Sequence, residues 1–229
     1  MAIVQRISGW LGRLSVSRKL MLIYLLDLSA VIYVSGILIH EKFLAIDFTD
    51  KELVGTTYTR AVSEAMMAVF LQQGHEPVLS SAHLAALAQV RERHDETLRT
   101  GEQSNALAQT LDTLSTQGLP DAAARDRVLR QGRELLTTVG NQSNLILDPD
   151  LDSYYVMSLV VLRFPELLQV VYDTRRFVEQ QAEGSTPPGA ARAAELLTLA
   201  GRLEAVLRGV DADFGQAFAA GQPALQQAL

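Results

Sequence analysis

Residues 20–40 read LMLIYLLDLSAVIYVSGILIH, an apolar run with one acid, Asp27, inside it. As a helix rising 1.5 Å per residue this run spans about 32 Å, the thickness of a bilayer hydrocarbon core. It therefore reads as a transmembrane helix, residues 20–40. A cleaved signal peptide is the competing reading. Its apolar region is shorter, about 7 to 15 residues, and Val34-Ser35-Gly36 is a poor cleavage site because it lies within the run.

Charge orients the segment. Arg6, Arg13, Arg18 and Lys19 precede it and no acid occurs before Asp27, which places the N-terminus inside. Taking those four from the 20 Lys+Arg leaves 16 against 26 Asp+Glu, so residues 20–229 carry a formal charge of −10. An acidic exported body repels phosphate backbones, and the absence of a basic stripe argues against a nucleic-acid partner. In residues 1–19, Ile3, Ile7, Trp10, Leu11 and Leu14 fall at helical spacing, the pattern of an amphipathic leader lying in the cytoplasmic interface. Asp27 has two readings: protonation or snorkelling, and a polar contact between two anchors of a homodimer.

The remainder, residues 41–229, has no cysteine, which excludes disulfides and thiolate zinc sites and leaves stability to packing. Glycine and proline cluster at Gly74–Pro77, Gly118–Pro120, Asp148–Asp152 and Gly184–Gly189, with helix-forming residues between. The stripe Val54, Tyr58, Ala61, Ala65, Val69 predicts a first exported helix running straight on from the membrane. A second helix is expected over Ser80–Thr116. Its stripe changes phase between Leu84, Leu87, His94, Leu98 and Leu107, Leu111, Leu114, so a kink or a change of neighbours is expected at Thr100-Gly101-Glu102. His94 reads as a half-buried packing residue.

A third helix, Asp121–Leu147, buries Val128, Gly132, Leu135, Leu136, Val139 and Ile146. A fourth, Leu151–Ala182, is apolar almost all round from Tyr154 to Tyr172. A second membrane crossing there is weighed down by Arg163, Glu166, Gln169 and Pro165, so burial in protein is expected. A fifth opens at Pro187-Pro188 with the stripe Leu196, Leu199, Ala200, Leu203, Leu207, Val210, Phe214, Ala217. No alternating β-branched run competes. The predicted fold class is all-α: one transmembrane helix continuing into an antiparallel, four-helix-like bundle of long helices.

No catalytic residue set is found. His40-Glu41 and His75-Glu76 begin like H-E-x-x-H but lack the second histidine, and phosphate loops and nucleophile elbows are missing. No cofactor and no metal is expected. Asp148, Asp150 and Asp152 reproduce the start of a calcium loop, but Ser153 stands where that loop needs glycine and Leu159 where it needs glutamate. Helix punctuation explains the acids: Asp148 as cap, Pro149 at the first helical position, Asp150 at the positive end of the dipole. Asn141, Asn144, Asp148, Asp152, Tyr154, Tyr155 and Arg163 are the ligand-binding or switch candidates, because polar groups at a break in a bundle are either satisfied locally or serve a site.

The segment SNLILDPDLDSYYVMSLVVLRFPELL, with SVSRKLMLIYLLDLSAVIYVSGILIHEKF and KELVGTTYTRAV, resembles the N-terminal sensory region of bacterial transmembrane signalling receptors, among them hybrid sensor histidine kinases, methyl-accepting chemotaxis proteins and some diguanylate cyclases. The likeness departs after Leu71, where such proteins often carry His-Arg-Gly after the glutamines and this chain has Gln72-Gln73-Gly74-His75-Glu76. The resemblance implies a periplasmic helical sensor in the inner membrane, followed by a second transmembrane helix, a relay helix pair and a cytoplasmic output domain. A histidine kinase output is favoured over a chemotaxis output. The expected partners are the membrane, a second copy of the chain, and an unidentified small molecule or periplasmic protein. The alternative is a membrane-tethered interaction module without a ligand. Because residues 226–229 still follow a helical pattern, the sensory region is expected to be incomplete at its C-terminus.

Overall fold

The computed structural model describes residues 15–72, 79–117, 122–147, 151–182 and 189–221. It is all-helical: helix makes up 95% of it, with no strand among the described residues. Two compact units divide the chain, Met1–Asp50 and Lys51–Leu229.

Helix α1, Val16–Leu71, contributes to both units, and its character changes along its length. In the first unit its large apolar residues, from Leu20 to Ile46, are exposed. In the second, Gly55, Tyr58, Thr59, Ala61, Val62, Ala65, Met66, Ala68 and Val69 are buried, in groups that recur every three or four residues, as a helix with a broad covered face requires.

The second unit continues with α2 (Ser81–Leu98), α3 (Gly101–Gln117), α4 (Ala122–Gln142), a 3₁₀ turn (Leu145–Leu147), α5 (Leu151–Ser158), a π turn (Leu159–Arg163), α6 (Phe164–Ala182) and α7 (Gly189–Ala220). Helices α5, the π turn and α6 follow without a break and satisfy the expectation of one helix over Leu151–Ala182. The core joins Tyr58, Val62 and Met66 of α1 to Leu87 and Leu98 of α2, Leu107 and Leu111 of α3, Val128, Leu135 and Val139 of α4, and Val161 and Tyr172 farther on. Each such aliphatic side chain stabilises the fold by about 1.5–3 kcal/mol relative to exposure.

Two expectations need correction. The helix expected over Ser80–Thr116 is two helices that fold back on each other, so that Arg91 of α2 bonds to Ser104 and Asn105 of α3. Arg99 stops α2 in the left-handed conformation, φ 52°, and its N–H donates to the carbonyls of Asp95 and Glu96. A reversal, rather than a kink, inverts the apolar phase: Leu87 and Leu98 precede it, Leu107 and Leu111 follow it, and all four are buried in the same core. The third helix ends at Gln142 rather than Leu147, because Asn144 takes φ 65° and the chain leaves through the 3₁₀ turn.

Close approach between α1 and α4 depends on glycine. A Cβ on Gly55 would collide with the Ser143 side chain, and one on Gly132 with the sulfur of Met66. Ser143, wholly buried, turns its hydroxyl to the Val139 carbonyl at 2.7 Å and so leaves no orphaned polar group at this contact.

Candidate functional site

Pro165 shapes the most unusual stretch of the chain. Lacking an N–H, a proline within a helix leaves the carbonyl four residues earlier without its usual donor. Just ahead of it, over Leu159–Arg163, the ladder widens: the Phe164 N–H bonds to the Leu159 carbonyl, five residues back. Such π turns inside helices often mark functional positions.

The π turn brings Ser158 and Arg163 to one carboxylate. Asp213 of α7 accepts hydrogen bonds on Oδ2 from the Ser158 hydroxyl at 2.7 Å and from Arg163 Nε at 2.9 Å. The Asp213 side chain is 9% exposed and that of Arg163 35%, so the acid is inside and the guanidinium reaches the surface. Gly209, one turn before Asp213, makes room: a Cβ there would stand 2.8 Å from Arg163 Cζ. The hydrogen bond to Asp213 raises the Arg163 pKa against the opposing effect of burial, so the guanidinium stays charged. Aromatic rings continue the contact, Phe164 meeting Phe214 at 6.4 Å between centroids.

A second polar centre holds the α2–α3 reversal. Asp95 accepts the Tyr58 hydroxyl at 2.6 Å and the Thr100 hydroxyl at 2.8 Å on Oδ1, and the Ser104 hydroxyl at 2.5 Å on Oδ2. Burial first, and the hydrogen bond to Asp95 next, push the Tyr58 phenol above its ordinary range. With three hydroxyl donors and Arg91 Nε at 3.8 Å, this carboxylate is taken up by its own fold, so its work is structural. A third centre lies between α4, α6 and α7, where Gln169 Nε2 donates to Asp126 and Asp173, each at 2.9 Å, and Arg202 bonds Asp173 at 2.8 Å.

The sequence candidates separate accordingly. Asn141 is exposed in the last turn of α4. Asn144 supplies the left-handed residue that ends α4, and its carbonyl accepts the Leu147 N–H at 2.8 Å. Asp148 lies outside the described residues, as do Pro149 and Asp150. Asp152 sits in the first turn of α5, its Oδ1 accepting the Ser153 N–H. Tyr154 and Tyr155 meet edge to face, 5.2 Å between centroids. Arg163 joins the ion pair, and Ser158 and Asp213 are the partners that sequence reasoning missed. The seven-residue spacing of Leu199, Val206 and Asp213 is in the sequence, but their shared burial, which gives the acid its need of a partner, is seen only in the structure. His94 is half-buried, as expected.

Among the described residues no group of three or more histidine or acidic side chains is placed to hold a metal. Among the described residues two helical stretches, Val16–Leu71 and Leu151–Gln181, each contain a window long and apolar enough to cross a membrane. The chain matches no protein-family profile, and neither a curated protein nor a solved structure shows significant similarity to it.

Proposed function

We propose that the chain is the membrane-anchored, periplasmic sensory input region of a bacterial transmembrane receptor, its helices α1–α7 beyond the anchor forming a bundle that reports to an output domain. The observation that carries this reading is the change along α1. Its most apolar window is wholly uncovered, whereas Gly55 to Val69 pack into a core. So long an uncovered apolar helix is untenable in water and suits a bilayer. The cationic residues before it set the N-terminus inside. For Leu151–Gln181 the buried Val161, Val170 and Tyr172, with the Arg163–Asp213 salt bridge, favour a place within the bundle over a second crossing. The switch in this reading is the π turn with its ion pair, since a helix ladder offset by one residue has two packings that a bound ligand can bias.

An export-dependent reporter fused after Gly55 tests the topology. Activity is expected outside the inner membrane, and activity only inside would overturn the reading. A tethered interaction module without a ligand is the second reading, favoured by the exposed Leu196, Leu197 and Leu207 of α7. Thermal-shift screening separates the two, because a ligand that binds only the folded state raises Tm by mass action.

A further inference from the structure

Beside the π turn, on the side of α1, lies a cavity of about 290 Å³. Ser63, Met66 and Met67 of α1 form one wall, and Val160, Phe164 and Pro165, with two leucines of α6, form the other. Its floor is core: Met66 is 1% exposed and lies against Gly132, where a Cβ would strike its sulfur. Its mouth is open, with Met67 42% and Phe164 39% exposed.

We propose that this cavity is a binding site for a small uncharged apolar molecule, an arene or short hydrocarbon, and that this is the ligand class the input region detects. The lining carries no charged side chain and one hydroxyl, that of Ser63. A carboxylate or ammonium group placed against this lining would be desolvated without a partner, which costs several kcal/mol and disfavours amino acids and organic acids. Apolar cavities of about 150 Å³ stay dry and take up benzene, so a larger one accommodates a substituted ring. Methionine suits the purpose: its unbranched thioether adapts to a guest and makes favourable contacts with aromatic edges. Two further cavities among the described residues lack this chemistry, one of about 390 Å³ being lined by Asp173, Arg176, Glu195 and Arg202, the other holding Arg91 and Asp112. Val160 belongs to the π turn and Pro165 provokes it, so a guest touches the element that holds Arg163 against Asp213. The biological purpose of the site rests on the sensory reading, whereas its occupancy is tested without that reading.

The methionines make the test. The five are Met1, Met21, Met66, Met67 and Met157, so methyl-labelled methionine in the intact chain, reconstituted in nanodiscs, gives a short and assignable spectrum. Titration with toluene is expected to move the Met66 and Met67 methyl signals saturably, and benzoate of the same shape to leave them in place. Met21, within residues 20–40, reports simple partition into lipid. Ser63→Phe, which fills the cavity from its own wall, is expected to weaken toluene binding at least tenfold; a second filling variant, Leu168→Phe, covers the case in which the first does not fold. Signals of Met66 and Met67 that stay still at saturating toluene, that move only linearly together with Met21, or that respond equally to benzoate would overturn the proposal, whatever the topology reporter shows.

Discussion

Replacing Arg163 by methionine isolates the energetics of the π turn. The substitution keeps most of the aliphatic stem and removes the guanidinium, so Asp213 is left with the Ser158 hydroxyl as its bonded partner of the two it has here. Breaking a fully buried pair from one side costs about 3–5 kcal/mol, because the surviving charge stays desolvated. Here the acid is 9% exposed but the arginine 35%, so water screens part of the attraction and lowers the expectation to about 2 kcal/mol. The double variant Arg163→Met, Asp213→Leu removes both charges and fills the site with carbon. It is expected to return to within about 1 kcal/mol of the parent, since a well-packed apolar replacement of a buried pair is often neutral. Urea unfolding of the intact chain in micelles, followed by far-ultraviolet circular dichroism, measures Arg163→Met, Asp213→Leu and the double variant against the parent, and the anchor's contribution cancels in the differences. If Arg163→Met costs less than about 0.5 kcal/mol, or if the two single losses simply add in the double variant, the pair is not coupled and the reasoning fails.

The same unfolding assay checks three further expectations. Asn144→Gly should be neutral or slightly stabilising and Asn144→Ala should cost about 1 kcal/mol, because φ 65° suits glycine and penalises alanine; equal losses would show that the side chain, not the backbone, matters. Gly55→Ala should destabilise by about 1–3 kcal/mol through its clash with Ser143, whereas Gly36→Ala, with nothing within 4 Å, should not destabilise; similar values for the two would refute the close approach. For Tyr58 the folded pKa lies above the unfolded value of 10.0, so the folded state binds the extra proton at alkaline pH. Its contribution is therefore intact below pH 10 and declines as pH rises above it, by at most about 1.4 kcal/mol per pH unit; in Tyr58→Phe the decline should be reduced, and an unchanged slope would rule the phenol out as its source.

The α7 stripe shows where local reading stops. The sequence marks Leu196, Leu199, Ala200, Leu203, Leu207, Val210, Phe214 and Ala217 as one apolar stripe, of which Leu199 and Ala217 are buried. In the structure α7 packs along α5, the π turn and α6 through Leu199, Val206, Asp213 and Ala217, leaving Leu196 and Leu207 exposed. Hydrophobicity alone cannot choose between adjacent faces of a helix when the deciding contact is an ion pair fifty residues apart in sequence.

What the sequence by itself determined is local: the all-helical class, the apolar run of residues 20–40, and the core positions Tyr58, Ala65, Val128, Leu135 and Val139. These follow from a 3.6-residue period, from glycine and proline, and from the absence of alternating strands, all of which act within a few residues. The reversal at Arg99, the widened turn before Pro165, the backbone role of Asn144 and the pairing of Arg163 with Asp213 were decided by tertiary structure. A residue in the left-handed region, a shifted hydrogen-bond ladder and a buried acid each cost free energy locally, and each persists where contacts from elsewhere in the chain offset that cost.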